Sequence, residues 1–330
     1  MKLAILGTGL IVKEGALPAL KQVPEIEVAA IFALPRSKAV AENIAAKNDI
    51  AKVYTDYDEL LANPDIEFVY IGLINSVHYE YTKKALEAGK NVIVEKPFAS
   101  AAAEVAELCE LALSKKLYIF EAVTLRYLPN FAAIREALPK LGKIRAVLAN
   151  YSQYSSRYDK YLQGEVLPVF DPKRSGGALY DINIYNLNFI IGLFGAPQEV
   201  SYTANIGFNG IDTSGFATLK YDEFIAVALG AKDSESPSFV SIQGEKGWIK
   251  VSGAPNELNS FEIHSHKSGE TTRYELNKYS HRMVHEFKEF EQIYRTNNFE
   301  KMRFELDVSL AVIRAAEKAR KQVGIVFPCD

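Results

Sequence analysis

The chain has 330 residues, enough for about two domains with a core each. Its 38 basic residues against 41 acidic ones leave a formal charge of −3, which argues against a nucleic-acid footprint and a polybasic membrane patch. Two cysteines, Cys109 and Cys329, make neither a disulfide framework nor a metal cluster. The five histidines are scattered, and His264 with His266 alternate along a strand pattern without further ligands nearby, so no metal site is expected. Met1-Lys2 runs straight into a strand without a signal peptide, and no apolar run approaches the ~20 residues of a membrane helix. These features lead to the expectation of a cytoplasmic enzyme acting on a small molecule.

Leu3 to Leu6 is a short apolar strand, followed at once by Gly7-Thr8-Gly9-Leu10-Ile11-Val12 and a helical segment to about Lys21. Strand, glycine turn and helix form the context of a dinucleotide fingerprint. Gly7 permits the tight turn, Gly9 lets backbone approach a pyrophosphate, and Leu10 and Ile11 open the helix toward it. Val12 occupies the third glycine position, a departure from the pattern. Glu27 to Ala33 is the second strand and Ser37 to Lys47 its helix. NAD would want a carboxylate after that strand, yet none occurs between Glu27 and Glu42. Arg36, Ser37 and Lys38 stand there instead, suited to a 2′-phosphate, although Ser37 could equally be the N-cap of a solvated helix start. NADP(H) is the favoured cofactor and NAD(H) the alternative.

Phe68 to Leu73 is the next buried strand, and His78 to Ala88 a helix closed by Gly89. Asn91 to Phe98 then reads N-V-I-V-E-K-P-F. An apolar run of this kind makes a buried parallel strand, and it ends in Glu95, Lys96 and Pro97. Opposite charges beside a buried strand are costly unless paired or facing a cleft. Ligands bind at the carboxyl ends of such strands, and Pro97 pushes Lys96 toward an extended, held conformation. Ala101 to Lys115 and Leu117 to Glu121 complete the alternation. Residues 1–122 therefore read as an α/β Rossmann domain with a doubly wound parallel sheet.

Residues 123–330 read differently. Strand patterns over 143–155, 198–208, 213–221, 224–232, 239–243, 248–251, 261–264 and 271–276 follow one another with short turns. They predict an α+β domain with a large, mostly antiparallel open sheet for substrate binding and oligomerisation. Helices are expected over 130–138, 178–194, 281–295 and 304–322, on one sheet face only, the last able to pack back on the first domain. An uncovered apolar sheet face predicts a homo-oligomer, a dimer or larger. Gly176-Gly177-Ala178 opens a helix whose i, i+4 spacing puts Asp181 and Tyr185 on one face. On these residues alone, Asp181 could merely complement the helix dipole and Tyr185 could be core. Tyr151, Tyr154, Arg157, Tyr158 and Tyr161 crowd one segment, suited either to stacking on a sugar or to an oligomer contact.

Taken together, these features resemble the Gfo/Idh/MocA oxidoreductases over nearly the whole chain. The resemblance rests on Gly7-x-Gly9, Tyr70-Ile71-Gly72 leading to Asn75-x-x-His78, Glu95-Lys96-Pro97, Glu121-Ala122 with Arg126 and Pro129, and Gly176-Gly177-Ala178 with Asp181. Tyrosine at 185, where many members carry histidine, resembles the branch of dimeric dihydrodiol dehydrogenases, xylose dehydrogenases and glucose–fructose oxidoreductase. The resemblance implies hydride transfer between NAD(P) and a hydroxyl or carbonyl of a sugar, polyol or diol. It implies Lys96 and Tyr185 as catalytic pair, Asp181 supporting substrate placement, and Arg126 toward the substrate. Asn75, His78, Glu95 and Pro97 fall to the cofactor. Ile74 departs from the proline usual before Asn75, and Pro35 from the usual Asp or Ser. Tyrosine, with a pKa near ~10, is a poor base at neutral pH, and a cation about 4–6 Å away favours its phenolate. Lys96 is the candidate cation. A non-catalytic NAD(P)-binding sensor on the same fold is the alternative, and retention of Lys96, Asp181 and Tyr185 argues against it.

Overall fold

Leu3–Leu6, Phe68–Ile71 and Val92–Val94 lose all solvent contact, as strands covered on both faces must. The computed structural model describes residues 1–330 and places these runs in β1 (Lys2–Leu6), β4 (Phe68–Ile71) and β5 (Asn91–Glu95). With β2 (Glu27–Phe32), β3 (Lys52–Tyr54) and β6 (Ile119–Ala122) they form a sheet ordered β3-β2-β1-β4-β5-β6. Every neighbouring pair is parallel. The order reverses between β1 and β4, which is where a doubly wound sheet opens its ligand crevice.

A π-helical turn, Ile11–Ala16, continues as α1 (Leu17–Leu20), and α2 (Lys38–Lys47), α3 (Tyr57–Ala62), α4 (His78–Glu87) and α5 (Ala102–Lys115) follow. The edge strand β3 and helix α3 are additions to the predicted elements. Three residues of strand give no readable alternation, and α3 is started by Asp56, whose carboxylate accepts from the Asp58 and Glu59 amides at 2.8 and 3.1 Å.

Beyond Ala122 come α6 (Pro129–Ala137), β7 (Ile144–Ser152), α7 (Tyr158–Leu162) and α8 (Ile184–Phe194). Strands β8 (Glu199–Ile206), β9 (Asp212–Lys220), β10 (Ile225–Ala231), β11 (Phe239–Gly244), β12 (Gly247–Ser252), β13 (Phe261–Ser265) and β14 (Thr271–Tyr274) complete an eight-stranded sheet. Its order is β14-β13-β12-β11-β7-β10-β9-β8, antiparallel except between β7 and β10. One face buries Val147, Ala149, Ala217, Leu219, Ala226, Ala228, Val240 and Ile242. Their alternate neighbours Leu148, Phe216 and Ile225 stay exposed.

The chain divides into two compact units, Met1–Ala122 with His281–Asp307, and Val123–Ser280 with Val308–Asp330. The expectation of one unbroken stretch over 123–330 is thereby corrected. The physical reason is the aromatic stripe of α9 (Met283–Arg295), which covers the first sheet. Phe287 lies against Tyr70, Phe290 stacks on Phe120 and Tyr294 meets Phe68 edge-on, with centroids 5.9, 4.6 and 4.9 Å apart. Helix α10 (Phe299–Gln322) belongs to the first unit as far as Asp307 and to the second from Val308. No helix is long and apolar enough to cross a membrane.

Candidate active site

In the first unit, Gly7 has a φ of +115°, and a Cβ there would lie 2.4 Å from the Gly72 carbonyl oxygen. Only glycine satisfies both conditions. A Cβ at Gly9 would meet nothing within 4 Å, so the protein's own packing does not require that glycine. The bare backbone borders open space in front of a helix whose first turn has no side-chain cap. Open amides at a helix start suit a pyrophosphate. Val12 is completely buried, and a Cβ at Gly72 would stand 2.8 Å from its Cγ2. The close packing that the third glycine normally permits is thus achieved from the neighbouring strand. The loops after β1, β2 and β4 expose Leu10, Leu34 and Ile74, a concentration of aliphatic surface at the carboxyl ends of the strands. Ile74 has φ −75° and ψ 147°, the conformation proline would impose, so its departure from the family pattern leaves the backbone as it was.

Arg36 and Lys38 are exposed after β2 and Ser37 is half-buried. The Ser37 hydroxyl makes no cap hydrogen bond, although Ser37 occupies the N-cap position of α2. Lys38 pairs loosely with Glu42 at 3.8 Å, and the stretch carries no carboxylate. A 2′-phosphate fits this donor set.

From Val92 to Ala101, Lys96 alone is not buried. The residues around it are turned inward and tied. The Tyr70 hydroxyl donates to Glu95 Oε1 at 2.5 Å, and the Phe98 amide to Glu121 Oε1 at 2.9 Å. Glu104 Oε2 accepts from the Ser100 and Ala101 amides at 3.0 and 3.1 Å. His78 has no exposed surface: Nδ1 stands 2.8 Å from the Pro97 carbonyl oxygen and Nε2 3.1 Å from that of Leu73. Burial pushes its imidazole pKa down, against the pull of those two carbonyls. Burial also pushes the Glu95 carboxyl up, opposed by the Tyr70 hydrogen bond and the Lys96 and Arg282 charges. The Lys96–Pro97 peptide is cis. His78, Glu95 and Pro97, expected near the cofactor, are buried and frame Lys96. Asn75 remains half-buried at the start of its turn.

In the second unit, the helix from Leu179 begins with a π-helical segment, Leu179–Asn183, and continues as α8. From Ser175 to Gly192 the residues not buried are Asp181 and Tyr185. Asn183 Nδ2 donates to the Ala228 carbonyl at 2.9 Å, and Asn186 Nδ2 to that of Leu229 at 2.8 Å, fixing the helix on β10. The rings of Tyr185 and Tyr151 lie 6.0 Å apart. Asp181 forms an ion pair with Lys232, which is 5% exposed. Asp212, also buried, accepts through Oδ2 from the Leu179 amide at 2.6 Å and the Tyr202 hydroxyl at 2.7 Å. Burial pushes the Asp212 carboxyl up to about 6.

Lys232 and Asp212 escaped sequence reasoning. A signal existed for the lysine: the apolar run ending in Lys232-Asp233 has the form of the run ending in Glu95-Lys96. Arg126, expected toward the substrate, lies in the second unit. It is 6% exposed and its guanidinium donates to Ser309 Oγ at 2.9 Å, a tie within the second unit. The tyrosine-rich segment stacks on itself and on two phenylalanines: Tyr158 lies 5.9 Å from Tyr161, and Tyr161 lies 4.9 Å from Phe170 and 4.4 Å from Phe208.

Residues 1–122 match the group described as oxidoreductase family, NAD-binding Rossmann fold, and residues 131–250 match the GFO/IDH/MocA C-terminal domain. The chain is 33% identical over 330 residues to scyllo-inositol 2-dehydrogenase (NADP(+)) of Bacillus subtilis, spanning 100% of this chain and 99% of the relative. It is 28% identical over 321 residues to trans-1,2-dihydrobenzene-1,2-diol dehydrogenase of Sus scrofa, spanning 94% and 93%. A 3-ketoreductase from Actinomadura kijaniata, solved with NADP and TDP-benzene, shares the fold with a TM-score of 0.84 at 20% identity over 97% of both chains.

Proposed function

We propose, for a chain that belongs to the Gfo/Idh/MocA oxidoreductase family, the role of an NADP(H)-dependent dehydrogenase acting on a hydroxyl of a sugar, polyol or diol. The oxidoreductase activity comes with the family. The observation that carries the finer reading is the pattern of access. Lys96 alone breaks the burial of its segment, and Asp181 with Tyr185 break that of theirs. Polar side chains left open in otherwise buried runs are placed for a ligand rather than for the fold. Two relatives matched over nearly their whole length are named for an inositol and for a dihydrodiol, which supports a substrate with adjacent hydroxyls.

The bound nicotinamide supplies or accepts the hydride. The protein's part is the proton. Tyr185 takes it from the substrate hydroxyl during oxidation, or returns it to the carbonyl oxygen during reduction. By the family resemblance Lys96 is the cation whose charge favours the phenolate form of Tyr185, and Asp181 accepts from a substrate hydroxyl to orient the ring. Arg36 and Ser37 take the 2′-phosphate, which supports NADP(H) over NAD(H). The open apolar face bearing Leu148, Phe216 and Ile225 is read as the contact of a homo-oligomer.

The test is a panel of scyllo-inositol, myo-inositol, xylose, glucose and trans-1,2-cyclohexanediol, followed at the reduced-nicotinamide absorbance with each cofactor. Turnover of at least one compound with NADP+ is expected. Tight NADP(H) binding without turnover of any would favour the sensor reading.

A further inference from the structure

We propose that Lys232 is a positioning residue of this active site, holding the Asp181 carboxylate in the orientation that receives a substrate hydroxyl, while Asp212 holds the start of the helix that carries Asp181 and Tyr185. This deepens the reading above and rests on it.

Lys232 sits at the end of β10, its main chain fixed on both sides. Its amide donates to the Thr213 carbonyl and its own carbonyl accepts from the Ser155 amide, both at 2.9 Å. The side chain reaches inward. Its ammonium pairs with Asp181 Oδ2 and lies 5.7 Å from the Phe170 ring centroid. A buried ammonium is stable only when paired and surrounded by such groups, so its place is strongly determined. The pair is asymmetric: the Lys232 side chain is 7% exposed and that of Asp181 33%. The carboxylate is therefore held from behind by a cation that is itself almost wholly enclosed, while about a third of the Asp181 side chain stays exposed.

Asp212, at the start of β9, makes the second brace. Its Oδ2 accepts the Leu179 amide, at the helix end where a negative charge is favoured. The approach requires Gly177, since a Cβ there would lie 2.1 Å from Asp212 Oδ1. Gly177 has a φ of +102° as well, so backbone and space both select glycine. The Lys232 charge also acts on Asp212, so one ammonium serves two carboxylates. Neither Lys232 nor Asp212 is open to the substrate. Both act through Asp181 and its helix.

The experiment measures kcat and KM for the best panel substrate, and the NADP(H) Kd by calorimetry. The proteins are wild type, Lys232→Met, Lys232→Arg, Asp181→Asn, the Lys232→Met/Asp181→Asn double variant and Tyr185→Phe. Loss of a hydrogen bond to a charged group predicts a KM increase on the order of ten- to a hundredfold in Lys232→Met, with cofactor Kd unchanged. Lys232→Arg, which keeps the charge, should recover most of it. If Lys232 acts only through Asp181, the double variant should have the KM of Asp181→Asn. KM within twofold of wild type in Lys232→Met, or losses that multiply in the double variant, overturns the proposal while leaving the role of Tyr185 standing. Near-wild-type turnover in Tyr185→Phe with raised KM in Lys232→Met overturns the proton-transfer reading and leaves the brace standing. If Lys232→Met does not fold, Lys232→Arg against Asp181→Asn decides: a KM as poor as that of Asp181→Asn in the arginine variant overturns the brace, and a KM near wild type supports it. A panel without turnover overturns both readings.

Discussion

Val12 and Gly72 share one space: the Cγ2 methyl of the valine lies 2.8 Å from where a side chain at Gly72 would begin. The third fingerprint glycine has in effect moved to the adjacent strand. Gly72→Ala should therefore lower stability by about 1–3 kcal/mol, the usual consequence of overpacking. Val12→Ala in the same chain should recover part of that loss, although alone it is destabilising. Urea unfolding of the four proteins checks the pair. Strict additivity would mean that the two positions do not compete.

Arg36 supplies the second prediction. Arg36→Ala should weaken NADP(H) binding by about 1.5–3 kcal/mol and leave NAD(H) almost unchanged, because only the former has the 2′-phosphate. Calorimetric titration with both cofactors is the measurement. Equal affinity for the two in wild type, with no effect of Arg36→Ala, removes the NADP(H) preference.

Asp212 predicts a pH dependence of stability. Its carboxyl titrates near 6 in the folded protein, against about 3.9 in an unfolded chain. The folded state binds the proton more tightly, so this group's contribution is most favourable below about pH 4 and declines until about pH 6. Asp212→Asn removes the titration and keeps an acceptor for the Leu179 amide. Its stability relative to wild type should rise across pH 4–6, by on the order of 2–3 kcal/mol, and stay level above. Denaturant midpoints at a series of pH values decide it, and a difference that is flat across that window contradicts the assignment.

Lys96 and Tyr185 should behave as one functional unit. Lys96→Met should move the basic limb of the pH–rate profile upward, and Tyr185→Phe should abolish that limb. The double variant should be little slower than Tyr185→Phe. Turnover against pH for the four proteins would expose the error if the losses multiply.

The open sheet face gives the fifth prediction. Leu148→Asp with Phe216→Asp should convert an oligomer into a monomer of about 37 kDa without loss of secondary structure. Light scattering at micromolar concentration tests it. A wild type that is already monomeric ends the idea.

Both sheets were legible because their strands carry period-two or continuously apolar patterns, which burial on one or both faces imposes. The inward turn of His78 and Arg126 was not. A polar residue in a functional motif reads the same whether it faces a ligand or ties two loops together, and its hydrogen bonds to Pro97 or Ser309 come from distant chain. Lys232 lay hidden for a related reason, since its partner Asp181 is 51 residues away in sequence. The destination of α9 was also unreadable. Its amphipathic stripe announces that it must cover something, and the aromatic rings of the first sheet, far upstream, are what it covers.

That return has a consequence during synthesis. A ribosome that has finished Ala122 has delivered all six strands of the first sheet, yet not the segment His281–Asp307 that completes the same unit. At about 5–20 residues per second, the wait is roughly 10–40 s. Throughout it, Phe68, Tyr70 and Phe120 lack the rings that cover them in the finished protein. A fragment ending at Ala122 would remain in that condition permanently, and a chaperone that binds aromatic surface has its natural target in the nascent chain.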